Sequence, residues 1–173
     1  DGQPNGLVCA RFPGGVTYAG GWQGTAMHGR GVYDGKTRGR YAGDFVRGEF
    51  TGYGVHTLPS GNRFEGIFED WTPAGYGRWT HVGGAVTEGR SSASGLIGPG
   101  RIFWSNGNRY DGDTEHGAPH GFGVWKAANG DVYRGSFRHG EFDGEGELVY
   151  ARPLDGRRSD RGQWTYGRFA LDE

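Results

Sequence analysis

The sequence predicts an all-β fold: an elongated, single-layer, twisted antiparallel sheet of stacked β-hairpins. Three observations carry this reading. A unit recurs every 23 residues along the chain. Within the unit, aromatic, glycine and aromatic residues alternate at period two, which puts all three on one face of a strand. No segment shows the 3.6-residue apolar stripe of an amphipathic helix. The whole of 1–173 reads as a single array. It comprises a partial unit at 1–17, units starting at 18, 41, 64, 87, 110 and 133, an irregular loop at 151–159 and a partial unit at 160–173.

In the partial unit at 1–17, Gly2, Gly6 and Gly15 fall on glycine offsets and Val8 replaces one glycine. The unit at Tyr18 carries Trp22 four residues on. The unit at Tyr41 is the most regular, reading Tyr41-Ala42-Gly43-Asp44-Phe45-Val46-Arg47-Gly48, then Gly52-Tyr53-Gly54 and Gly61. The third opens with Phe64, Gly66 and Phe68 but has Trp71 where a turn glycine is expected. The fourth is degenerate, with Thr87 and Ser91 in place of rings and Ser94 in place of glycine, so stacking is expected to be weakest there. Tyr110 opens the fifth, with Thr114 at the second aromatic position. Tyr133, Phe137 and Gly140 mark the sixth. After Tyr150 the phase breaks by roughly four residues, and Gly162, Trp164 and Gly167 resume it.

Each unit reads as a hairpin. Gly48 and its counterparts allow the positive φ of a tight reversal. The second strand is expected to begin at the Gly-x-Gly pair and to carry Tyr33, Trp79, Ile102, Trp125 or Leu148 two positions on. The glycine between two rings leaves a slot in which a ring of the next unit is expected to lie flat. Isolated hairpins are marginal, whereas each buried ring contributes roughly 1.5–3 kcal/mol, so stacking must hold the fold together.

The pattern Tyr41-x-Gly43-x-Phe45-x-x-Gly48-x-x-x-Gly52-x-Gly54, with Tyr18-Ala19-Gly20-Gly21-Trp22, His28-Gly29-Arg30-Gly31 and His120-Gly121-Phe122-Gly123, resembles the MORN repeat. That resemblance covers nearly the whole chain. It implies a non-catalytic scaffold, with a groove that receives a partner helix or a second copy of the array. It also implies a cytoplasmic location on cytoskeletal or ciliary and flagellar structures. Two further readings stay open: a phosphoinositide- or anionic-lipid-binding module, and the regulatory repeat domain of a larger enzyme. The chain starts at Asp1 rather than Met, so a piece of a longer protein is expected.

Composition narrows the classes. Glycine reaches 38 residues, but 14% aromatic content argues against disorder. The formal net charge of -1 supplies no field for nucleic acid. A single cysteine, Cys9, allows no intrachain disulfide; a reducing compartment is expected, with Cys9 packed. The Gly-x-Gly pairs lack the third glycine and helix of a phosphate cradle. His116 and His120 flank Gly117 and Pro119 in a predicted turn, so no metal site is expected, and neither a cofactor nor catalytic residues are read.

The candidate interaction residues are the rings of the predicted stacking face: Tyr18, Trp22, Tyr41, Phe45, Phe64, Phe68, Tyr110, Tyr133 and Phe137. A single layer leaves such a row partly exposed, and an exposed apolar stripe marks a partner site. A homodimer joined near Trp164 and Tyr166 is expected, with other proteins as further partners. Arg30, Lys36, Arg38 and Arg40, and separately Arg157 and Arg158, are the candidates for lipid or anion contact. Asp34, Asp44, Asp155 and Asp160 are interleaved with them, which favours a solvated mixed-charge face.

Overall fold

The computed structural model describes residues 5–92 and 95–170. Asp1, Gly2 and Ser94, which the repeat pattern singles out, lie outside the described residues. Among the described residues there is no α-helix, only a short 3-10 turn at Pro13–Gly15. The strands are β1 (Gly6–Arg11), β2 (Thr17–Gln23), β3 (Ala26–Gly35), β4 (Gly39–Val46), β5 (Glu49–Thr57), β6 (Arg63–Glu69), β7 (Thr72–Thr80) and β8 (Val86–Ser92). They continue with β9 (Gly95–Phe103), β10 (Arg109–Glu115), β11 (Ala118–Lys126), β12 (Val132–Arg138), β13 (Glu141–Leu154), β14 (Arg157–Thr165) and β15 (Arg168–Phe169). Together they form one open antiparallel sheet of 15 strands in sequence order.

The unit at Tyr41 shows why the repeat has its residues. The Tyr41 ring is fully buried and lies over Gly43 and Gly54, which face each other across β4 and β5. A methyl group at either glycine would run into that ring. The ladder slips by a bulge after Gly43, and Gly52, at φ +57, sits in the bulge. The Tyr41 hydroxyl shares its proton between the carbonyls of Asp44 and Thr51 there, both at 3.1 Å. Tyr18, Tyr110 and Tyr133 likewise donate to the carbonyl three residues on, at Gly21, Asp113 and Ser136. Phe64 fills the same space over Gly66 and Gly77 without a hydroxyl.

Two expectations change here. The slot over the glycines is filled by the unit's own opening ring, because a tyrosine lying along the strand spans two residues and finds the carbonyl of the bulge. The Gly-x-Gly pair lies within the second strand rather than at its start, since β5 already begins at Glu49. Its first glycine makes the bulge and its second makes room for the ring.

A third ring completes the unit. Phe50, nine residues after Tyr41, stacks flat on it at 3.8 Å and 7°. Phe142 does the same on Tyr133, at 3.8 Å and 6°. Phe45 and Phe137 stand edge-on to these pairs, at 5.2 Å from the opening tyrosines. In the degenerate fourth unit the same offset holds Leu96, whose methyl lies over Gly89 and Gly100 where an opening ring would otherwise be. Ser91 nearby is buried, and its Oγ has no hydrogen-bond partner among the described residues.

Successive hairpins are tied by backbone bonds at their turns. The Gly48 N–H donates to the Met27 carbonyl of the hairpin before it at 2.9 Å. Gly117 to Leu96, Gly140 to Pro119 and Gly167 to Phe142 repeat the bond at 2.9–3.0 Å. Trp71 makes it to Phe50 at 3.3 Å from an unusual left-handed conformation, φ 71. Its ring compensates by covering Phe50 at 4.2 Å, with the Arg38 guanidinium 4.3 Å above it. A second tie runs between connectors: Asn62, Asn108 and Asp131 each accept from a backbone N–H 20 residues on, at Val82, Ala128 and Ala151.

The chain divides into two compact units, one through Val82 with Ser91 and Ser92, the other comprising Gly83–Arg90 and the residues from 95 onward. The expected single array therefore has two cores. The first gathers Tyr18, Tyr33, Tyr41, Phe45, Phe50, Phe64 and Phe68; the second gathers Ile102, Tyr110, Tyr133, Phe137 and Trp164. Thr87 and Ser91 interrupt the row of rings between these stretches of sequence. Residues 151–159 are not an irregular loop. β13 continues to Leu154 and β14 starts at Arg157, leaving only Asp155 and Gly156 in a tight turn with φ 51 and 81. The inserted residues lengthen a hairpin, because Asp-Gly is itself a favoured reversal.

Candidate functional site

Alternation along each strand gives the sheet a ring-bearing core face and an outer face. The core face does not offer the expected row of exposed rings. Tyr18, Tyr41, Phe45, Phe64, Phe68, Tyr110, Tyr133 and Phe137 are all buried, none more than 4% exposed, and only Trp22 of the nine is partly open. The reason is the apolar residue at offset nine, an aromatic ring only at Phe50 and Phe142, and the bulge at each hairpin tip. The eight buried residues belong to the stacking core, and Trp22 packs against it from its edge.

Burial also marks their hydroxyls. Desolvation, then the Asp44 carboxylate, pushes the Tyr41 phenol up to about 12. Desolvation, then Asp143 and Glu145, pushes Tyr133 up to about 12. Tyr150 is raised to about 12 by burial and by its hydrogen bond to Asp160.

Trp164, one of the two expected dimer contacts, is 5% exposed and belongs to the second core, edge-on to Tyr133 and Phe142. It occupies the second-aromatic place of the last partial unit and serves that unit's core. Asp160 stands at the opener's place of the same unit, buried and held by Tyr150 and by Arg157 at 2.9 Å. Tyr166 is the exposed member of the pair, at 70%, in a turn with φ 47.

The candidate cations do not share one surface. Arg30 and Arg40 lie on the outer face of the first unit, where Arg30 pairs with Asp44 at 3.5 Å and Arg40 stands opposite Asp34. Arg38 lies over Trp71 on the core side, and Lys36 sits in the turn between β3 and β4. Arg157 is committed to Asp160, and Arg158 is exposed in the second unit. Cys9, expected to pack, is exposed. His116 occupies a turn at φ 51, while His120 faces Glu115 at 3.2 Å. Among the described residues no group of three or more His, Cys, Asp or Glu is placed to hold a metal ion. No helix among them is long and apolar enough to cross a membrane.

Sequence reasoning missed the outer face. The residue between the paired glycines points away from the core; in the first unit it is Arg30, Tyr53 or Tyr76, and the two tyrosines are 53% and 68% exposed. Tyr53 stands directly across from Ile67, itself 42% exposed, and Ile67 lies over Gly75 beside Tyr76. The signal was available: the x of Gly-x-Gly shares its face with neither ring of the unit.

Tandem hairpins, each with an opening ring over two glycines and a backbone tie at the turn, define a stacked-hairpin repeat protein. The MORN repeat model matches residues 18–40, 41–63, 110–132 and 133–152, more than half of the chain. The chain belongs to the MORN repeat family, a non-catalytic repeat module of protein and lipid interaction. The matches leave out the units at Phe64 and Thr87, where Trp71 replaces the turn glycine and the rings give out.

Proposed function

We propose that the chain is a scaffold module that associates with a second copy of itself, and with other proteins, through the outer face of its first unit. The observation that carries this reading is the exposed cluster of Tyr53, Ile67 and Tyr76 on one face of the first unit, whose opening rings Tyr18, Tyr41 and Phe64 are buried in its core. Tyrosine is favoured at protein interfaces because it buries a large apolar ring while its hydroxyl stays bonded. Here the Tyr53 hydroxyl is held by Glu65 at 2.7 Å, which fixes the ring. A patch on one sheet face pairs with its own copy about a two-fold axis, the commonest closed assembly. Attachment to cytoskeletal or ciliary structures in the cytoplasm belongs to the same proposal and rests on the family. Sedimentation velocity tests the association. The wild-type chain should sediment as a dimer at micromolar concentration, and Tyr53→Lys with Tyr76→Lys as a folded monomer. A wild-type monomer, or a dimer indifferent to both changes, refutes the reading.

A further inference from the structure

We infer that the outer face of the second unit carries a groove for an acidic peptide segment of a partner protein, built on Arg101, Arg109, Lys126 and Arg134. The groove has a volume of about 460 Å³, and Phe103 and Val124 line it with the cations. Arg109 on β10 stands directly opposite Lys126 on β11. Like charges placed so are destabilising, so such a pair needs another reason to be there. At the three equivalent places in the first unit, Thr17 faces Asp34, Arg40 faces Thr57 and Arg63 faces Thr80, and Arg63 is paired with Glu65 at 2.8 Å. In the groove Arg101 is held by Asp111 at 3.3 Å. Arg109, Lys126 and Arg134 have no ion pair among the described residues, although Glu147 on β13 stands directly opposite Arg134.

The spread of the cations selects the occupant. They lie on four successive strands, β9 to β12, so at about 4.8 Å per strand they extend across about 14 Å. One phosphate group cannot reach all of them. An extended segment with carboxylates on alternate residues, about 7 Å apart, can cross the row. Its intervening side chains then meet Phe103 and Val124. This surface is independent of the tyrosine cluster of the first unit.

The test is fluorescence anisotropy of the whole chain with a fluorescein-labelled peptide of repeated Glu-Val-Asp-Thr, and with its Gln-Val-Asn-Thr counterpart. The acidic peptide should bind, less tightly as salt is raised, and the amide peptide should not. Arg109→Gln with Lys126→Gln should weaken binding by at least about tenfold, while Arg152→Gln, outside the groove, leaves it unchanged. Lys126→Gln alone should raise the melting temperature by about 1–3 °C, since it removes the like-charge pair. That rise shows that weaker binding does not come from unfolding. Equal binding of both peptides, or equal binding by the double variant, overturns the inference. So does groove-dependent binding of phosphatidylserine vesicles without peptide binding, which would make the site a lipid site. Loss of self-association in the double variant, with no peptide binding, would instead assign the groove to a second copy and also overturn it.

Discussion

Replacing Phe50 by alanine tests the packing of the repeat at the residue that the openers depend on. Phe50 is 1% exposed and lies between Tyr41 at 3.8 Å and Trp71 at 4.2 Å. Removing the ring forfeits its transfer energy, about 1.5–3 kcal/mol. The cavity adds to this, because Tyr41 is pinned over Gly43 and Gly54 and cannot collapse into the space. The expected total is about 3–5 kcal/mol, a large part of a stability on the order of 5–15 kcal/mol. Urea unfolding followed by tryptophan fluorescence and circular dichroism reads it. With a slope of about 2 kcal/mol per M, the midpoint of the first unit should fall by about 2 M. Val46→Ala, on the outer face and 45% exposed, serves as the control and should cost less than about 1 kcal/mol. Equal midpoints for the two variants would show that Phe50 does not sit under the ring stack and that the register is wrong.

Phe64→Tyr should stabilise the chain by about 0.5–1.5 kcal/mol, by supplying the opener's hydroxyl to the bulge carbonyl that Tyr18, Tyr41, Tyr110 and Tyr133 use. A loss of stability in urea would show that the hydroxyl bond is incidental. Alkaline pH should unfold the protein. The Tyr41 and Tyr133 phenols are raised to about 12 when folded, above the unfolded value of about 10, so the unfolded chain loses those protons first. Their contribution is complete below about pH 10 and is lost as pH rises toward about 12. Thermal melts across that window that stay flat would contradict the burial of these hydroxyls.

Much of the fold was legible because the 23-residue period fixes both the strands and the face that Tyr41, Gly43 and Phe45 share. Coverage of that face was not. It depends on Phe50 and Phe142, and on Met27, Pro73, Leu96 and Pro119 at the same offset, which are apolar in every unit and could have been found by aligning the repeats at position nine. Without that third element the ring row looked open, and Trp164 looked like a contact rather than a core residue. The stretch 151–159 looked like a loop because charged residues and Asp155-Gly156 give no apolar alternation, yet cross-strand bonding carries the strands past the repeat. Pairing decided the cations. That Arg30 meets Asp44 while Arg38 lies over Trp71 follows from cross-strand register and turn geometry, which proximity in sequence does not report.

Hydroxyl-radical footprinting over a range of protein concentrations tests the central claim most directly, because it reads both faces of the sheet at once. Tyr53 and Tyr76 should be oxidised in dilute solution and become protected as the chain associates, while Tyr41 and Phe45 stay protected at every concentration. Tyr41 and Phe45 reacting when dilute and becoming protected when concentrated would instead make the ring face the interface, and would contradict the account.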